Sequence, residues 1–261
     1  MASQFDITDL RTALLPYIEE AIQDISGPDG EWAAKGFIDL AMRLYPIPDD
    51  TKVISKALEV MLAPTLVRFA KDAGVRIEWC PEQNFHPDVT FVAEDGCKVA
   101  LDIRSTYRVS ETRVSGFTLG AFTGYFRDRQ SRKNIVHPYG EYAKHYVLGI
   151  LYTDVSEAAC RHDVFSIHDI ETVLSVIRDL DAILHEKYRV ACDRPGSGNA
   201  KNIGSCTGLA QLRDGGGPFA ELGDEVFKFY LTRDMARQAE LSRPPYRNVE
   251  EYLHYRGLKK K

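Results

Sequence analysis

The stretch from Asp88 to Thr106 leaves the chain few ways to fold. Val89-Thr90-Phe91-Val92 is rich in β-formers, Glu94-Asp95-Gly96 supplies a turn, and Lys98-Val99-Ala100-Leu101-Asp102-Ile103 returns as a second strand. Two neighbouring antiparallel strands follow. Side chains alternate faces along a strand, so Asp102 and Arg104 share one side while Leu101 and Ile103 enter the core. If Asp88 lies beside them, two hard oxygen ligands and a cation meet where Mg2+ could bridge to a phosphate. A solvated Asp/Arg face is common on proteins, and on the triad alone it is the favoured reading.

A second constraint is the run from His145 to Thr153, apolar almost throughout, which suits a strand buried on both sides. Around these strands the periodicity predicts a mixed α/β (α+β) chain. Helices are expected over 5–25, over 31–45 up to Pro46 and Pro48, and over 51–73 with Asp50 or Thr51 as N-cap and Gly74 just beyond. Pro64 predicts a kink or break in the third. Strands are expected over 75–80, 88–93 and 98–106, a helix over 168–186, a short strand over 188–192 and a helix over 223–241. Gly215-Gly216-Gly217 reads as a loop.

The length of 261 residues suits one large domain with ample core. No apolar run approaches bilayer-spanning length and the N-terminus lacks a basic-then-apolar leader, so a cytoplasmic protein without membrane attachment is the expectation. The five cysteines are scattered without a Cys-x-x-Cys pair, which points to free thiols. The seven histidines show no metal-ligand spacing either. A net charge of −5 is awkward for a nucleic-acid partner. Its distribution is uneven, however: Arg127, Arg129, Arg132 and Lys133 cluster beside Tyr125 and Phe126, which leaves room for a locally basic cleft.

The motifs Gln83-Asn84-Phe85-His86-Pro87-Asp88, Leu101-Asp102-Ile103, Phe117-Thr118-Leu119-Gly120, Lys133-Asn134-Ile135-Val136 and Gly196-Ser197-Gly198-Asn199-Ala200-Lys201-Asn202-Ile203-Gly204-Ser205 occur in serial order. In order and approximate spacing the chain resembles the EcoRV-like type II restriction endonucleases, of the PD-(D/E)xK nuclease superfamily. The resemblance begins near Asp50 and is weakest before that point and after about residue 207. It implies a restriction-endonuclease-like mixed central sheet flanked by helices, with a helical, dimerising part over about 1–50, a catalytic core over 51–155 and a DNA-recognition part over 156–261.

It further implies Mg2+-dependent hydrolysis of double-stranded DNA by a homodimer at a palindrome. The expected site is GATATC, whose central TA step kinks easily. Asp88 and Asp102 would hold the metal, Arg104 would complete the catalytic triad, and Glu59, on a helical stripe with Lys52 and Lys56, becomes an accessory carboxylate. Without the resemblance, that stripe is an exposed ion-pair ladder. Major-groove contacts fall to Gly196, Ser197, Gly198, Asn199 and Asn202, with asparagine amides matched to adenine N6 and N7. Ala200 stands where the pattern has threonine. Gln83 and Asn84 would approach the minor groove, and Thr106 and Lys133 complete the DNA-contacting set.

The family pattern has lysine where this chain has Arg104. A buried lysine can exchange protons near neutrality, whereas guanidinium stays charged, so Arg104 is no general base. The attacking water would then lose its proton to solvent or substrate. Lys98 shares the face of Asp102 but lies roughly 13 Å from it along the strand, leaving Lys52 or Lys56 as nearer substitutes, and Arg104→Lys is expected to retain or raise cleavage. The substitution also leaves open a DNA-binding protein of this fold with weak or no catalysis. A repair nuclease without a fixed recognition sequence is the other alternative.

Overall fold

The computed structural model describes residues 6–121, 124–155, 163–195, 202–230 and 246–258. In chain order the elements are α1 (Leu10–Asp24), β1 (Gly36–Ile38), β2 (Arg43–Pro46), α2 (Thr51–Asp72), β3 (Arg76–Trp79), β4 (Val89–Val92), β5 (Lys98–Ser110), β6 (Arg113–Val114), β7 (Thr118–Ala121), β8 (Tyr142–Asp154), β9 (Phe165–Ser166) and β10 (Ile177–Glu186). They continue with α3 (Lys187–Val190), β11 (Ala191–Pro195), β12 (Asn202–Ser205), α4 (Leu209–Asp214), α5 (Gly223–Phe229) and α6 (Val249–Tyr255).

The hairpin read from 88–106 forms as expected: β4 pairs antiparallel with β5, Val89 opposite Leu101, around a turn in which Gly96 takes a positive φ of 86°. Strand order in the central sheet is β10-β8-β5-β4-β3, with β6 folded back on β5. The β5–β8 pair is parallel and sets Asp102 opposite Val147. A parallel pair requires a crossover, and the chain between β5 and β8 provides it, carrying β6, β7 and the basic cluster. The sheet is covered on both faces. Leu101, Ile103, Leu148, Ile150 and Leu184 pack with α1 and α2 in one core cluster, whereas Ala100, Val147, Leu151 and Ile183 face a second cluster with the C-terminal elements. Period-two alternation between two apolar layers explains why the sequence of β8 reads as one unbroken apolar run.

Helix α2 buries Ile54, Leu58, Leu62, Leu66 and Phe69 along one stripe. Asp50 caps it, accepting from Lys52 and Val53 N–H groups. It continues through Pro64 to Asp72, so the proline does not break it; buried leucines on both sides hold the helix together across the missing hydrogen bond.

Three expected elements differ. The helix over 31–45 is instead the β1–β2 hairpin, paired with Phe37 opposite Tyr45. Asp39 accepts from the Ala41 and Arg43 N–H groups, an Asx-type turn that outcompetes helix, and a Cβ at Gly36 would stand 2.4 Å from the Tyr45 carbonyl oxygen. The helix over 168–186 is a 3-10 turn at Ile167–Thr172 followed by β10. A register shift between Arg178 and Asp181 offsets the alternation by one residue, so Ile177, Leu180, Ile183 and Leu184 acquire helix-like spacing in the sequence. The strand over 188–192 begins as the single helical turn of α3 and becomes extended only at Ala191. The expected helix over 223–241 is present as α5 up to Phe229; residues 231–245 lie outside the described set. Four cysteines, Cys80, Cys97, Cys192 and Cys206, are free thiols; Cys160 lies outside the described residues. No helix among them is long and apolar enough to cross a membrane.

Candidate active site

Asp88 ends the approach to β4, and Asp102 and Arg104 project from β5 toward the second core cluster. Asp88 Oδ2 accepts the Ile103 N–H at 2.7 Å and Arg104 Nη1 at 2.8 Å. Arg104 Nη1 also donates to the Ile103 carbonyl at 2.7 Å, and its Nε to the Thr118 carbonyl at 3.1 Å. Nη2 lies 3.4 Å from Asp102 Oδ1. The triad expected from sequence is therefore assembled, but its guanidinium is committed to protein oxygens rather than held out for a phosphate.

Asp102 is only 1% exposed. Its Oδ1 meets His86 Nδ1 at 3.0 Å, and its Oδ2 meets Lys187 Nζ at 3.0 Å. The Lys187 pair is an ion pair at contact distance without the angle of a directional hydrogen bond. Lys187 is itself 2% exposed, with its ammonium 5.9 Å from the centre of the Tyr139 ring. His86 stacks on Tyr125 with ring centres 5.0 Å apart, and His145 on Tyr139 at 3.7 Å. Tyr125 and Phe126, which precede the basic cluster in the sequence, are parts of the packing behind the site, Phe126 being buried.

Burial alone would raise the pKa of Asp102, but His86, Lys187 and Arg104 outweigh it and hold the carboxyl well below the ordinary range. For Asp88, burial dominates over Arg104 and raises the pKa. Burial also opposes charge on Arg104, yet Asp102 and Asp88 more than compensate and raise its pKa, so Arg104 stays a cation. Burial pushes His86 down to about 4, against the pull of Asp102. At neutral pH His86 is then a neutral imidazole whose Nδ1–H donates to Asp102.

This arrangement sets a pH dependence of stability. An unfolded histidine takes a proton near its ordinary 6.5, whereas His86 resists until about 4; the unfolded state binds more protons in that window, so His86 favours folding above it and loses that contribution as pH falls from 6.5 toward 4. The contribution at neutrality is on the order of 3 kcal/mol. Urea unfolding at pH 7 and pH 5 is expected to show His86→Phe losing less stability on acidification than the parent.

Asp88 and Arg104 open onto a cleft of about 950 Å³ lined also by Lys52, Lys56, Glu59 and Gln83. Glu59 pairs with Lys56 at 2.6 Å on the α2 wall, so the exposed ion pair and the cleft position hold together, and its charge contributes to the raised pKa of Asp88. Lys98 pairs with Glu141 at 3.4 Å instead. Gln83, Asn84 and Lys133 are exposed. Thr106 is 4% exposed and donates to the Gly116 carbonyl, so it ties β5 to the segment leading into β7 and does not offer its hydroxyl to a ligand. Asn202 begins β12 opposite Ala121; Gly196, Ser197, Gly198, Asn199 and Ala200 lie outside the described residues. Sequence reasoning missed His86 and Lys187. His86 sits inside the Pro87-Asp88 motif and could have been flagged, but Lys187 reaches Asp102 from 85 positions away only through the β5–β8–β10 order.

Residues 28–257 match the family described as Restriction endonuclease EcoRV. Among curated proteins, the chain is similar to the type II restriction enzyme EcoRV of Escherichia coli, 32% identical over 229 residues that cover 86% of this chain and 91% of that protein. Among solved structures, it aligns with NlaIV restriction endonuclease over 97% of this chain and 96% of the other, at 12% identity and a TM-score of 0.43.

Proposed function

Because this chain belongs to the EcoRV family of type II restriction endonucleases, we propose that it hydrolyses phosphodiester bonds of double-stranded DNA at a short palindrome, using Mg2+. The observation that carries this reading is the convergence of Asp88 Oδ2, the Ile103 carbonyl and Asp102 Oδ1 on one cationic group beside a cleft. Two carboxylates and a carbonyl form a hard-oxygen donor set, and it already encloses positive charge; such a set fits Mg2+. Asp88 and Asp102 would hold the ion, which when bound supplies Lewis acidity toward the phosphoryl group and acidifies water.

The chain's own residues supply the rest. The Ile103 N–H fixes Asp88 from the neighbouring strand, and Lys187 and His86 fix Asp102 from behind, so neither carboxylate must be reoriented during reaction. Lys52 and Lys56 on the α2 wall of the cleft offer positive charge to the DNA backbone. Water attacks phosphorus, the bond to the 3′-oxygen breaks, and the proton of the water passes to solvent or to a phosphate oxygen, since Arg104 is permanently charged.

An EcoRV-like target, GATATC, and a homodimer complete the proposal. The dimer is supported by the sheet β1-β2-β9, which exposes Phe37, Ile38 and Met42 by more than half; an apolar hairpin of that kind suits a twofold partner surface. Phe37→Asp with Ile38→Asp is expected to shift the protein to monomer in sedimentation velocity, and cleavage of both strands should fall with it. Incubation with a mapped plasmid and Mg2+, followed by sequencing of the ends, tests the activity. Discrete ends at one palindrome support it, and random degradation overturns it. Specific binding in Ca2+ without cutting in Mg2+ or Mn2+ would favour the catalytically inactive reading that Arg104 motivates.

A further inference from the structure

From the oxygen contacts of Arg104 we infer that its guanidinium is a resident counter-ion lodged in the divalent-metal position, and that a metal ion binds there only by expelling it. The inference rests on the proposed function. Nη1 is held by Asp88 Oδ2 at 2.8 Å and the Ile103 carbonyl at 2.7 Å, with Nη2 3.4 Å from Asp102 Oδ1. These are the oxygens a hard cation would need, and a divalent ion drawn to them would meet strong repulsion from a guanidinium seated on the same atoms. The charge balance points the same way. Asp88 and Asp102 are matched by Arg104 and Lys187, so the formal charge of the cluster is zero. A divalent ion added with Arg104 in place would leave an excess of two positive charges in a largely buried cluster.

Lys187 cannot relieve that excess, because it is 2% exposed and enclosed. Arg104 can, because its side chain is 30% exposed and lines the cleft. Expelled, the guanidinium enters the space where a DNA phosphate would lie, and its fork geometry suits that anion. A lysine at this position, with a single ammonium head, could not hold Asp88, the Ile103 carbonyl and the Thr118 carbonyl together as the two nitrogens Nη1 and Nε do. The arginine is therefore a firmer occupant than the residue of the family pattern.

The test is a titration of the full-length protein with Mn2+ in the absence of DNA, counting free ion by electron paramagnetic resonance, for the parent, Arg104→Met, Arg104→Lys and the double variant Asp88→Asn/Arg104→Met. Arg104→Met is expected to bind Mn2+ at least tenfold more tightly than the parent, Arg104→Lys to fall between them, and the double variant to lose the gain. Without metal, Arg104→Met should melt below the parent, since its carboxylates lose their counter-ion, and Mn2+ should raise its Tm by more than it raises that of the parent. Equal or weaker binding by Arg104→Met overturns the inference, as does a loss of metal response in Arg104→Lys; the metal would then sit beside the arginine. If the parent nevertheless cuts DNA at a discrete site, only this inference fails. Absence of Mn2+ binding in every variant, together with absence of cutting, overturns the functional reading as well.

Discussion

Asp88→Asn is expected to reduce Mg2+-dependent cleavage by about a thousandfold or more while leaving the fold intact, a change of roughly 4 kcal/mol in transition-state stabilisation. Asparagine keeps the shape of the side chain and can still accept the Ile103 N–H, now at 2.7 Å from Oδ2, so the β4–β5 pairing survives. What disappears is one of the two negative charges that would hold the ion. The substitution also removes the carboxylate that burial makes unfavourable, since Asp88 has a raised pKa, and the thermal stability of Asp88→Asn should therefore stay near that of the parent. Single-turnover cleavage of a palindromic duplex, read beside a melting curve, checks both halves. Cleavage within tenfold of the parent would show that Asp88 is not a metal-holding group.

That Asp102 and Arg104 share one face of β5, with Asp88 at the head of the paired strand, was legible because it depends on short-range features: β-formers, a three-residue turn and strict alternation fix two strands and the faces of their side chains. The central strand was legible for a related reason, since burial on both faces leaves its sequence apolar throughout. Legibility ended where a local rule met a long-range one. In β10 the bulge near Asp179, whose φ is 53°, shifts the phase of alternation and counterfeits a helix. In β1–β2 the side chains of Phe37, Ile38 and Met42 are exposed, so their spacing carries no information about a core in this chain. Within the site, the same limit applies. The sequence places Arg104 on the correct face, but nothing local says that its guanidinium turns back onto Asp88 and the Ile103 and Thr118 carbonyls. That choice depends on the cleft wall supplied by β7, and the cation that balances Asp102 from below arrives from the start of α3.

Lys187→Met should be the most destabilising single change near the site. Lys187 and Asp102 are 2% and 1% exposed and form a contact ion pair at 3.0 Å. Removing one member of a buried pair leaves the other charged without compensation, typically at a cost of about 3–5 kcal/mol. His86 cannot take over as a cation, because burial keeps it neutral down to about 4, so Arg104 remains as the only charged neighbour of Asp102 among its described ion pairs. The variant should therefore unfold at lower urea concentration, and the pKa of Asp102 should rise. A double-mutant cycle separates the pair from the packing of the lysine stem: Asp102→Asn/Lys187→Met is expected to be more stable than the sum of the two single losses predicts, with a coupling of about 1–3 kcal/mol. Strict additivity would show that the two charges do not interact, and would remove the reason for regarding Lys187 as the group that keeps Asp102 ionised for metal.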